Sequence, residues 1–176
     1  RNNKIYLSRD PDHVGQWAGI VLISGSKVNI YNNLICQNQT GIHFRGATGS
    51  TANIYNNVFA YNNLTGISVA CSVEAAGSEA NIYSNIFAYN SYGVSVGHPQ
   101  AKAYLHYNSF QSDVLDLEGT ADVVGSVSIA PNFVNTENYE IINESSFNNL
   151  GHPATQFNDK DGSRNDLGIK GGPYAK

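Results

Sequence analysis

The chain has 176 residues, of which 41% are hydrophobic and only 14% are charged, and its formal net charge is −4. Lys102 is the only lysine or arginine between Arg45 and Lys160, so the sequence gives no reason to expect a nucleic-acid partner. No apolar run approaches the length of a membrane-spanning segment, and we expect no membrane insertion. The length suits a single domain.

The first candidate strands lie close to the N terminus. Ile5 and Leu7 have the spacing of one strand face, and residues 19–22 (Gly-Ile-Val-Leu) form a second apolar stretch. The chain starts at Arg1 and contains no methionine, so we expect a mature chain or a piece of a longer one. No capping segment precedes Ile5, which leaves two alternatives: more chain once preceded Arg1, or another molecule stacks on this end.

A short phrase then recurs through the chain. It reads Asn-Ile-Tyr-Asn-Asn-Leu-Ile at Asn29–Ile35 and returns, with small changes, at Asn53–Phe59, Asn81–Phe87 and, more loosely, Leu105–Phe110. One asparagine is common to all four copies, at positions 24, 28 and 23 residues apart: Asn33, Asn57, Asn85 and Asn108. This nearly regular period predicts a solenoid, in which each repeat stacks on its neighbours.

A glycine followed by alternating apolar residues comes after each of the first three phrases. These stretches are Gly41–Phe44, Gly66–Val69 and Gly93–Val96. Alternation with a period of two is typical of half-buried strands, and turn-forming Gly, Asn and Ser separate the stretches. We therefore predict coils of two or three short strands, stacked in parallel about 4.8 Å apart.

Stacking predicts four inward columns, each made of similar residues from successive coils. They are Ile30, Ile54, Ile82 and Leu105; Ile35, Phe59, Phe87 and Phe110; Ile20, Ile42, Ile67 and Val94; and Leu22, Phe44, Val69 and Val96. Together they would form a continuous core that no single coil can bury alone.

The asparagine column is expected at the turns between strands. It comprises Asn33, Asn57, Asn85 and Asn108. Asparagine tolerates left-handed backbone conformations, and amides stacked in register can hydrogen-bond from coil to coil. We predict a structural ladder here rather than a binding site.

This pattern of inward Ile, ladder Asn, inward Phe and Gly-Ile-x-Val resembles the right-handed parallel β-helix repeat of the pectate-lyase-like superfold, over Trp17–Phe133. The segments Ser128–Val134 and Phe157–Gly168 are similar to the last coil and the tail of many secreted members. However, Ser146–Gly151 lacks the Pro and Asp usual in that tail. The resemblance implies an extracellular or cell-surface protein.

The resemblance also implies an all-β fold: a single-stranded right-handed parallel β-helix (β-solenoid) of about five to six coils, each of roughly 22–28 residues. We expect the β-helix to occupy residues 1–134. An irregular C-terminal loop or cap, residues 135–176, is expected to pack on the last coil.

The superfold hosts lyases, hydrolases, adhesins and inert stalks, so activity must be argued from side chains. The lyases of this superfold resemble one another in using a Lys or Arg side chain as the base, often with calcium held by carboxylates. Its hydrolases resemble one another in using clustered aspartates. The outward positions of the Gly-Ile-x-Val strand are Val21, His43, Ser68 and Ser95. The nearest acidic group comprises Asp113, Asp116, Glu118 and Asp122. Because its spacing fits solvated turns equally well, we assign no catalytic residues and lean against an enzyme.

Two aromatic rows are candidate contact surfaces for a carbohydrate or a protein partner. The longer row contains Tyr31, Tyr55, Tyr83 and His106, and the shorter one contains Tyr61 and Tyr89. Rings in a row can stack on sugars or bury against a neighbouring protein. Alternatively, stacked tyrosines simply stabilise the coils, as cross-strand aromatic pairs do.

A candidate calcium site lies in the C-terminal segment. Its oxygen ligands would come from Asp159, Asp161, Asn165 and Asp166, since carboxylates around a glycine turn can wrap a hard cation. The glycine spacing differs from that of an EF-hand, and Arg164 offers an internal counter-charge. An Asx-turn that closes this segment is the alternative, and no other cofactor is expected.

Cys36 and Cys71 fall at different points of their coils, so we expect two independent residues unless the longer loop folds back to pair them.

The sequence as a whole favours a non-catalytic extracellular β-solenoid with a structural or interaction role, able to assemble end to end into filaments or a surface layer. The alternative is a carbohydrate-binding or polysaccharide-degrading module. Expected partners are copies of the chain itself, other surface proteins or a polysaccharide.

Overall fold

A computed structural model describes residues 1–6, 17–45, 48–70, 77–111, 114–135 and 139–175. Leu7, Cys71 and Asp113 lie outside these ranges, so the strand position, the cysteine pairing and the acidic group that involve them stay predictions. Within the described ranges, Cys36 is a buried free thiol, and burial raises the pKa of this thiol to about 11.

The described residues form 15 strands in three parallel five-stranded sheets, which we name A, B and C. Sheet A contains β1 (Lys4–Ile5), β4 (Leu34–Cys36), β7 (Val58–Ala60), β10 (Ile86–Ala88) and β13 (Ser109–Gln111). Sheet B contains β2 (Ala18–Ile23), β5 (Thr40–Arg45), β8 (Thr65–Val69), β11 (Tyr92–Val96) and β14 (Leu115–Glu118). Sheet C contains β3 (Lys27–Tyr31), β6 (Thr51–Tyr55), β9 (Glu79–Tyr83), β12 (Lys102–His106) and β15 (Asp122–Val124).

Each coil crosses the three sheets in turn, and strands pair in parallel with those one coil away. Ile30 pairs with Ile54 and Ile54 with Ile82, so the phrases align as predicted and the all-β solenoid is confirmed. Five strands per sheet span about four full turns, so the described solenoid is slightly shorter than the five to six coils predicted. After β15 the described chain returns to sheet A through an isolated bridge between Ser109 and Val127, which does not complete another coil.

Helices are short in the described part of the chain. The two that it contains are 3-10 helices, Glu144–Phe147 and Thr155–Phe157. Neither is long and apolar enough to cross a membrane.

The inward columns form the core inside the coils, as predicted. Ile42, Ile54 and Ile67 are fully buried, and the phenylalanine rings of the Phe59 column stack with centroids 4.8 Å apart. The glycine at the second position of β2, β5, β8 and β11 is explained by this stacking. A Cβ atom on Gly66 would lie 2.6 Å from the backbone oxygen of Gly93, one coil away.

The asparagine column forms a continuous ladder, which confirms the structural prediction. The backbone N–H and the side-chain amide of Asn33 donate to Oδ1 of Asn57 at 3.0 and 3.1 Å. Asn57 binds Asn85 in the same way, and Asn85 binds Asn108. Asn3 extends the ladder by donating to Oδ1 of Asn33.

The ladder asparagines do not adopt the left-handed backbone conformation that was expected to explain their position at the turn. The left-handed residues lie one position earlier, at Asn32, Asn56, Ser84 and Tyr107, with φ of 50, 53, 58 and 54°. The preceding residue therefore makes the corner, and the ladder asparagine contributes its amide rather than its backbone tolerance.

A second buried ladder, absent from the predictions, runs along the other edge of sheet A. Asn38 donates from its backbone and side chain to Oδ1 of Asn62, and Asn62 does the same to Asn90. Sheet A is thus bordered on both sides by buried amide columns.

Residues 139–175, which we call the tail, pack along the outside of sheet A, and this corrects the predicted position on the last coil. Leu34, Val58 and Ile86 point away from the interior and form a second buried cluster with Phe147 and Leu167 of the tail. Because the outer face of sheet A is apolar, covering it with the tail removes this surface from water.

Polar contacts fix the tail across three successive coils. The side-chain amide of Asn32 donates to the carbonyls of Ile169 and Gly171 at 3.0 and 2.9 Å. Asn165 is fully buried, and its amide contacts the side chains of Asn56 and Ser84. The corner residues of the coils are therefore also the hydrogen-bond anchors of the tail.

Candidate functional site

The longer aromatic row lies on the outward side of sheet C, next to the corner with sheet A. Tyr31 and Tyr55 stack with ring centroids 4.9 Å apart, and Tyr55 and Tyr83 with centroids 5.0 Å apart. All three rings and His106 are half-buried rather than open to solvent. The row exists as predicted, but it is not a bare platform.

The tail covers the first part of this row. The ring of Tyr174 lies 5.1 Å from Tyr31, and the ring of Phe157 lies 6.5 Å from Tyr55 and 4.9 Å from Tyr83. Burial, with smaller contributions from Tyr31 and Tyr174, raises the pKa of Tyr55 to about 12. Tyr31 and Tyr55 thus serve the interface between coil and tail, and external contact by these two rings stays a prediction.

The shorter row, Tyr61 and Tyr89, is only partly covered, since Tyr61 is still 37% exposed. Its rings stack 4.9 Å apart, and Phe133 lies 6.1 Å from each of them. The hydroxyl of Tyr89 donates to the carbonyl of Pro131 at 3.1 Å. This row stabilises the return of the chain to sheet A, and its role in binding a partner stays a prediction.

Around Tyr83 the tail and sheet C together line an open groove of about 380 Å³, which we call the sheet C groove. Its lining residues are Asn53, Asn81, Tyr83, Tyr104, His106, His152 and Phe157. Asn53, Asn81 and Tyr104 are register neighbours on three successive coils, and the tail contributes the last two residues. Of the predicted contact residues, the structure brings Tyr83 and His106 together here.

Side-chain amides form the floor of the sheet C groove. Nδ2 of Asn81 donates to Oδ1 of Asn53 at 3.1 Å, and Nδ2 of Asn53 donates to Oδ1 of Asn29 at 2.8 Å. A primary amide has two N–H donors and an oxygen with two lone pairs, so each keeps hydrogen-bonding capacity after these bonds. The floor therefore presents donors and acceptors between aromatic walls.

Among the described residues that line the groove, none carries a carboxylate, ammonium or guanidinium group. Burial lowers the pKa of His152, with smaller effects of His106 and Arg164, and burial raises the pKa of Tyr83, so both rings are neutral at neutral pH. Glycoside hydrolysis usually requires a pair of carboxylates across the scissile bond. The groove can bind and stack, but it offers no such pair.

The first two predicted calcium ligands are engaged by N–H and O–H donors of the tail itself. Oδ1 of Asp161 accepts from the backbone N–H and the hydroxyl of Ser163, at 2.9 and 2.6 Å, and these bonds lower the pKa of Asp161. The carboxylate of Asp159 accepts from the backbone N–H groups of Asp166 and Gly172. The contact between Asp161 and Ser163, two residues apart, is the geometry of the Asx-turn alternative.

The other two predicted ligands have separate roles. Asn165 is buried against the coil corners, and Oδ1 of Asp166 accepts from the backbone N–H of Asn149 at 2.7 Å. Among the described residues, no group of three or more His, Cys, Asp or Glu side chains could hold a metal ion. Calcium binding by these four residues stays a prediction that the internal hydrogen bonds do not favour.

The described members of the acidic group are divided between two sheets. Asp116 and Glu118 are on β14 of sheet B, and Glu118 accepts from the hydroxyl of Ser95 at 2.6 Å. Asp122 is on sheet C, 3.3 Å from Nε2 of His106.

Sequence reasoning missed most of the groove. Asn53 and Asn81 open two of the recurring phrases, so their common position was visible as a third asparagine column, shared with Asn29. Tyr104 takes the place of that asparagine in the looser fourth copy. Nothing in the sequence indicated His152 and Phe157, because only the path of the tail brings them to sheet C.

Comparison with known proteins identifies the repeat. A family model described as the right-handed β-helix region matches residues 1–110, which is more than half of the chain. Searches of curated proteins and of solved structures returned no match. The match covers the coils from β1 to β12 and most of β13, and it agrees with their parallel stacking. The chain therefore belongs to the right-handed β-helix family.

Proposed function

We propose that this protein is a non-catalytic extracellular β-helix that binds a neutral saccharide in the sheet C groove. The observation that carries the proposal is the combination of aromatic walls, Tyr83, Tyr104 and Phe157, with a floor of asparagine amides. Sugar rings present C–H faces that pack on aromatic rings and hydroxyls that hydrogen-bond with amides.

The size and charge of the groove narrow the ligand class. A volume of about 380 Å³ lies within the usual range of small-ligand sites, roughly 300–1,000 Å³. The lining lacks the Lys or Arg side chains that would pair with the carboxylates of an acidic polysaccharide. A neutral oligosaccharide of a few units is the ligand that this surface fits.

The direct test is binding of neutral oligosaccharides, with hexasaccharides of β-glucan, xylan and mannan as probes and oligogalacturonate as the acidic comparison. We expect at least one neutral probe to bind, and Asn81→Ala to weaken that binding about tenfold, which corresponds to roughly 1.4 kcal/mol. Isothermal titration calorimetry measures both affinities.

An asparagine outside the groove provides a control. Asn63 is exposed and does not line the groove, so Asn63→Ala should bind like the unmodified chain. Tyr104→Ala removes one aromatic ring from the lining of the groove. The proposal fails if this variant binds the neutral probe as tightly as the unmodified chain does. Preference for oligogalacturonate would also contradict it.

End-to-end association is a second candidate function, favoured by the uncovered last coil. Val123 continues the inward column of Leu105 yet is 49% exposed, because the tail runs along sheet A instead of capping β14 and β15. Exposed edge strands are templates for pairing with another chain, and such a contact between copies would not close on itself.

Sedimentation velocity over a concentration series tests this second candidate. We expect species larger than a monomer at high concentration, and Val123→Lys should suppress them. Leu64→Lys, which places the same charge at an exposed position away from both ends of the solenoid, is the control. A strict monomer at all concentrations would exclude a self-assembling role for the chain.

A further inference from the structure

The motif Asn-x-Ser/Thr, whose asparagine can accept an N-linked glycan, occurs three times in the chain. The copies are residues 38–40 (Asn-Gln-Thr), 63–65 (Asn-Leu-Thr) and 143–145 (Asn-Glu-Ser). Such a motif arises easily by chance in a chain that is rich in asparagine. The surroundings of each asparagine in the folded chain therefore have to distinguish the three copies.

Asn38 is excluded by its place in the second buried ladder. Its side chain is 1% exposed, and Nδ2 donates to the carbonyl of Cys36 at 3.0 Å and to Oδ1 of Asn62 at 3.1 Å. An N-linked sugar replaces one hydrogen of this nitrogen, so it would remove a buried hydrogen bond and place a bulky polar group inside the wall of the solenoid. The folded chain has no room for a glycan here.

The amide of Asn143 is engaged in the return of the chain to sheet A. The side chain is half-buried, its Oδ1 accepts from the backbone N–H of Asn132 at 2.8 Å, and its Nδ2 donates to the carbonyl of Ala130 at 3.2 Å. These two bonds hold the side chain against the neighbouring backbone instead of directing it into solvent. This copy is therefore poorly placed to carry a glycan.

Asn63 differs from both of the other asparagines. It is exposed, and its side-chain amide makes no hydrogen bond to the described residues. Its main chain supplies the contacts between coils, since the backbone N–H donates to the carbonyl of Asn38 at 2.8 Å and the carbonyl accepts from the hydroxyl of Ser91 at 2.6 Å. A substituent on Nδ2 therefore leaves the stacking of the coils intact.

The surroundings of Asn63 provide a second observation that favours a glycan. The residue lies at the corner between β7 and β8, and two large apolar side chains next to it in sequence, Tyr61 and Leu64, are 37% and 45% exposed. A glycan attached at a protein surface is bulky and solubilising, and the C–H faces of sugars pack on aromatic and apolar groups. A glycan at this corner would shield exposed apolar surface.

We propose that Asn63 is an N-glycosylation site. The donor is an oligosaccharide linked to a polyprenyl pyrophosphate, and a membrane-bound transferase catalyses its transfer. A bond forms between Nδ2 and C1 of the first sugar, the bond between C1 and the pyrophosphate oxygen breaks, the amide gives up one proton, and the lipid pyrophosphate leaves. The inference rests on the extracellular location proposed above, because the acceptor must meet this donor during export.

Mass spectrometry of peptides from protein purified from the cells that produce it is the direct test. We expect the peptide that contains Asn63 to carry sugar, and the peptides that contain Asn38 and Asn143 to have their unmodified masses. An unmodified Asn63 peptide would overturn the proposal. Sugar on Asn38 or Asn143 in place of Asn63 would overturn it as well.

Two matched variants test the choice of site when the full chain is secreted from insect cells, which supply the donor and the transferase. Asn63→Gln should be secreted without sugar, whereas Asn143→Gln should carry the same glycan as the unmodified chain. Sugar retained on Asn63→Gln would show that the site is wrong. Sugar on the insect-cell protein but not on the natural one would overturn the proposal through the location rather than the site.

Saccharide binding in the sheet C groove is a separate outcome. Asn63 does not line that groove, so calorimetry with neutral oligosaccharides should give the same affinity for Asn63→Gln and for the unmodified chain. Failure of the groove to bind a saccharide and failure of Asn63 to carry one are therefore distinguished by different measurements.

Discussion

Asn57 illustrates how a single buried amide serves three coils. Its side-chain nitrogen donates to the carbonyls of Ile30 and Tyr55 and to Oδ1 of Asn85, while its own Oδ1 accepts from the backbone and side chain of Asn33. The residue is fully buried. Removing the amide leaves donors and acceptors of neighbouring coils unpaired, which is more costly than losing one solvated bond.

We therefore expect Asn57→Ala to lower the free energy of unfolding by about 3 kcal/mol or more. Urea denaturation followed by circular dichroism measures the change. Asn29→Ala removes an exposed amide of the outer row and should cost no more than about 0.5 kcal/mol. Equal costs for the two variants would show that burial of the ladder does not govern its contribution.

Gly66 is constrained by its neighbours rather than by its backbone angle. A Cβ atom there would lie 2.6 Å from the oxygen of Gly93 and 2.8 Å from Cδ1 of Phe87. We expect Gly66→Ala to destabilise the protein by about 1–3 kcal/mol, because adjacent coils must separate. Thermal unfolding compared with Ser68→Ala, an outward position of the same strand, tests this. A melting temperature equal to that of the Ser68 variant would contradict the packing argument.

At the scale of elements, the contact between tail and coils contains a titratable group. The ring of His152 packs against Tyr83, Tyr107 and Phe157 at 5.7, 5.4 and 4.6 Å. Its Nδ1 accepts from the backbone N–H of Ala154, a bond that protonation of this nitrogen would remove. Burial lowers the pKa of His152 below its usual 6.5.

A lowered pKa means that the unfolded chain binds a proton more readily than the folded one. Stability should therefore fall as the pH drops below about 6.5, towards the lower pKa of the folded state. We expect the free energy of unfolding to be smaller at pH 5.5 than at pH 8, with faster proteolysis of the tail at the lower pH.

His152→Gln, which does not titrate, isolates this contribution from that of other groups. Burial also lowers the pKa of His43, so part of the pH dependence should remain in the variant. The difference in unfolding free energy between pH 8 and pH 5.5 should be smaller in His152→Gln than in the unmodified chain. Identical pH profiles for the two proteins would exclude the role of His152.

At the scale of the whole molecule, stability should be unevenly distributed along the solenoid. The middle coils are paired on both sides and joined by the tail, whereas β14 and β15 are edge strands with largely exposed side chains. Local opening is easiest where few apolar contacts hold the backbone hydrogen bonds.

Hydrogen exchange followed by mass spectrometry should therefore show the slowest exchange in β6 to β10 and fast exchange in β14 and β15. The measurement is made on dilute protein, so that association does not protect the edge. Protection of β15 equal to that of β9 in the dilute sample would contradict this gradient. Protection that appears only at high concentration would support end-to-end association.

The repeat made the solenoid predictable from sequence alone. In a stacked coil, residues one period apart become neighbours, so the columns through Ile54, Phe59 and Asn57 follow directly from the alignment of the phrases. Period-two alternation then decides which side chains enter the core. These relations are local and repeated, and they correctly predicted the parallel strands, the inward columns and the first amide ladder.

The path of the tail was decided by tertiary structure alone. The rings of Phe157 and His152 contact Tyr83 although more than one coil of sequence separates them from it. No period relates their positions to the repeats. The apolar outer face of sheet A, with Val58 and Ile86, attracts the tail because the free energy of burying apolar surface depends on shape and area rather than on sequence spacing. The sequence by itself therefore determined the coil, whereas the sheet C groove arises only when the tail folds back along it.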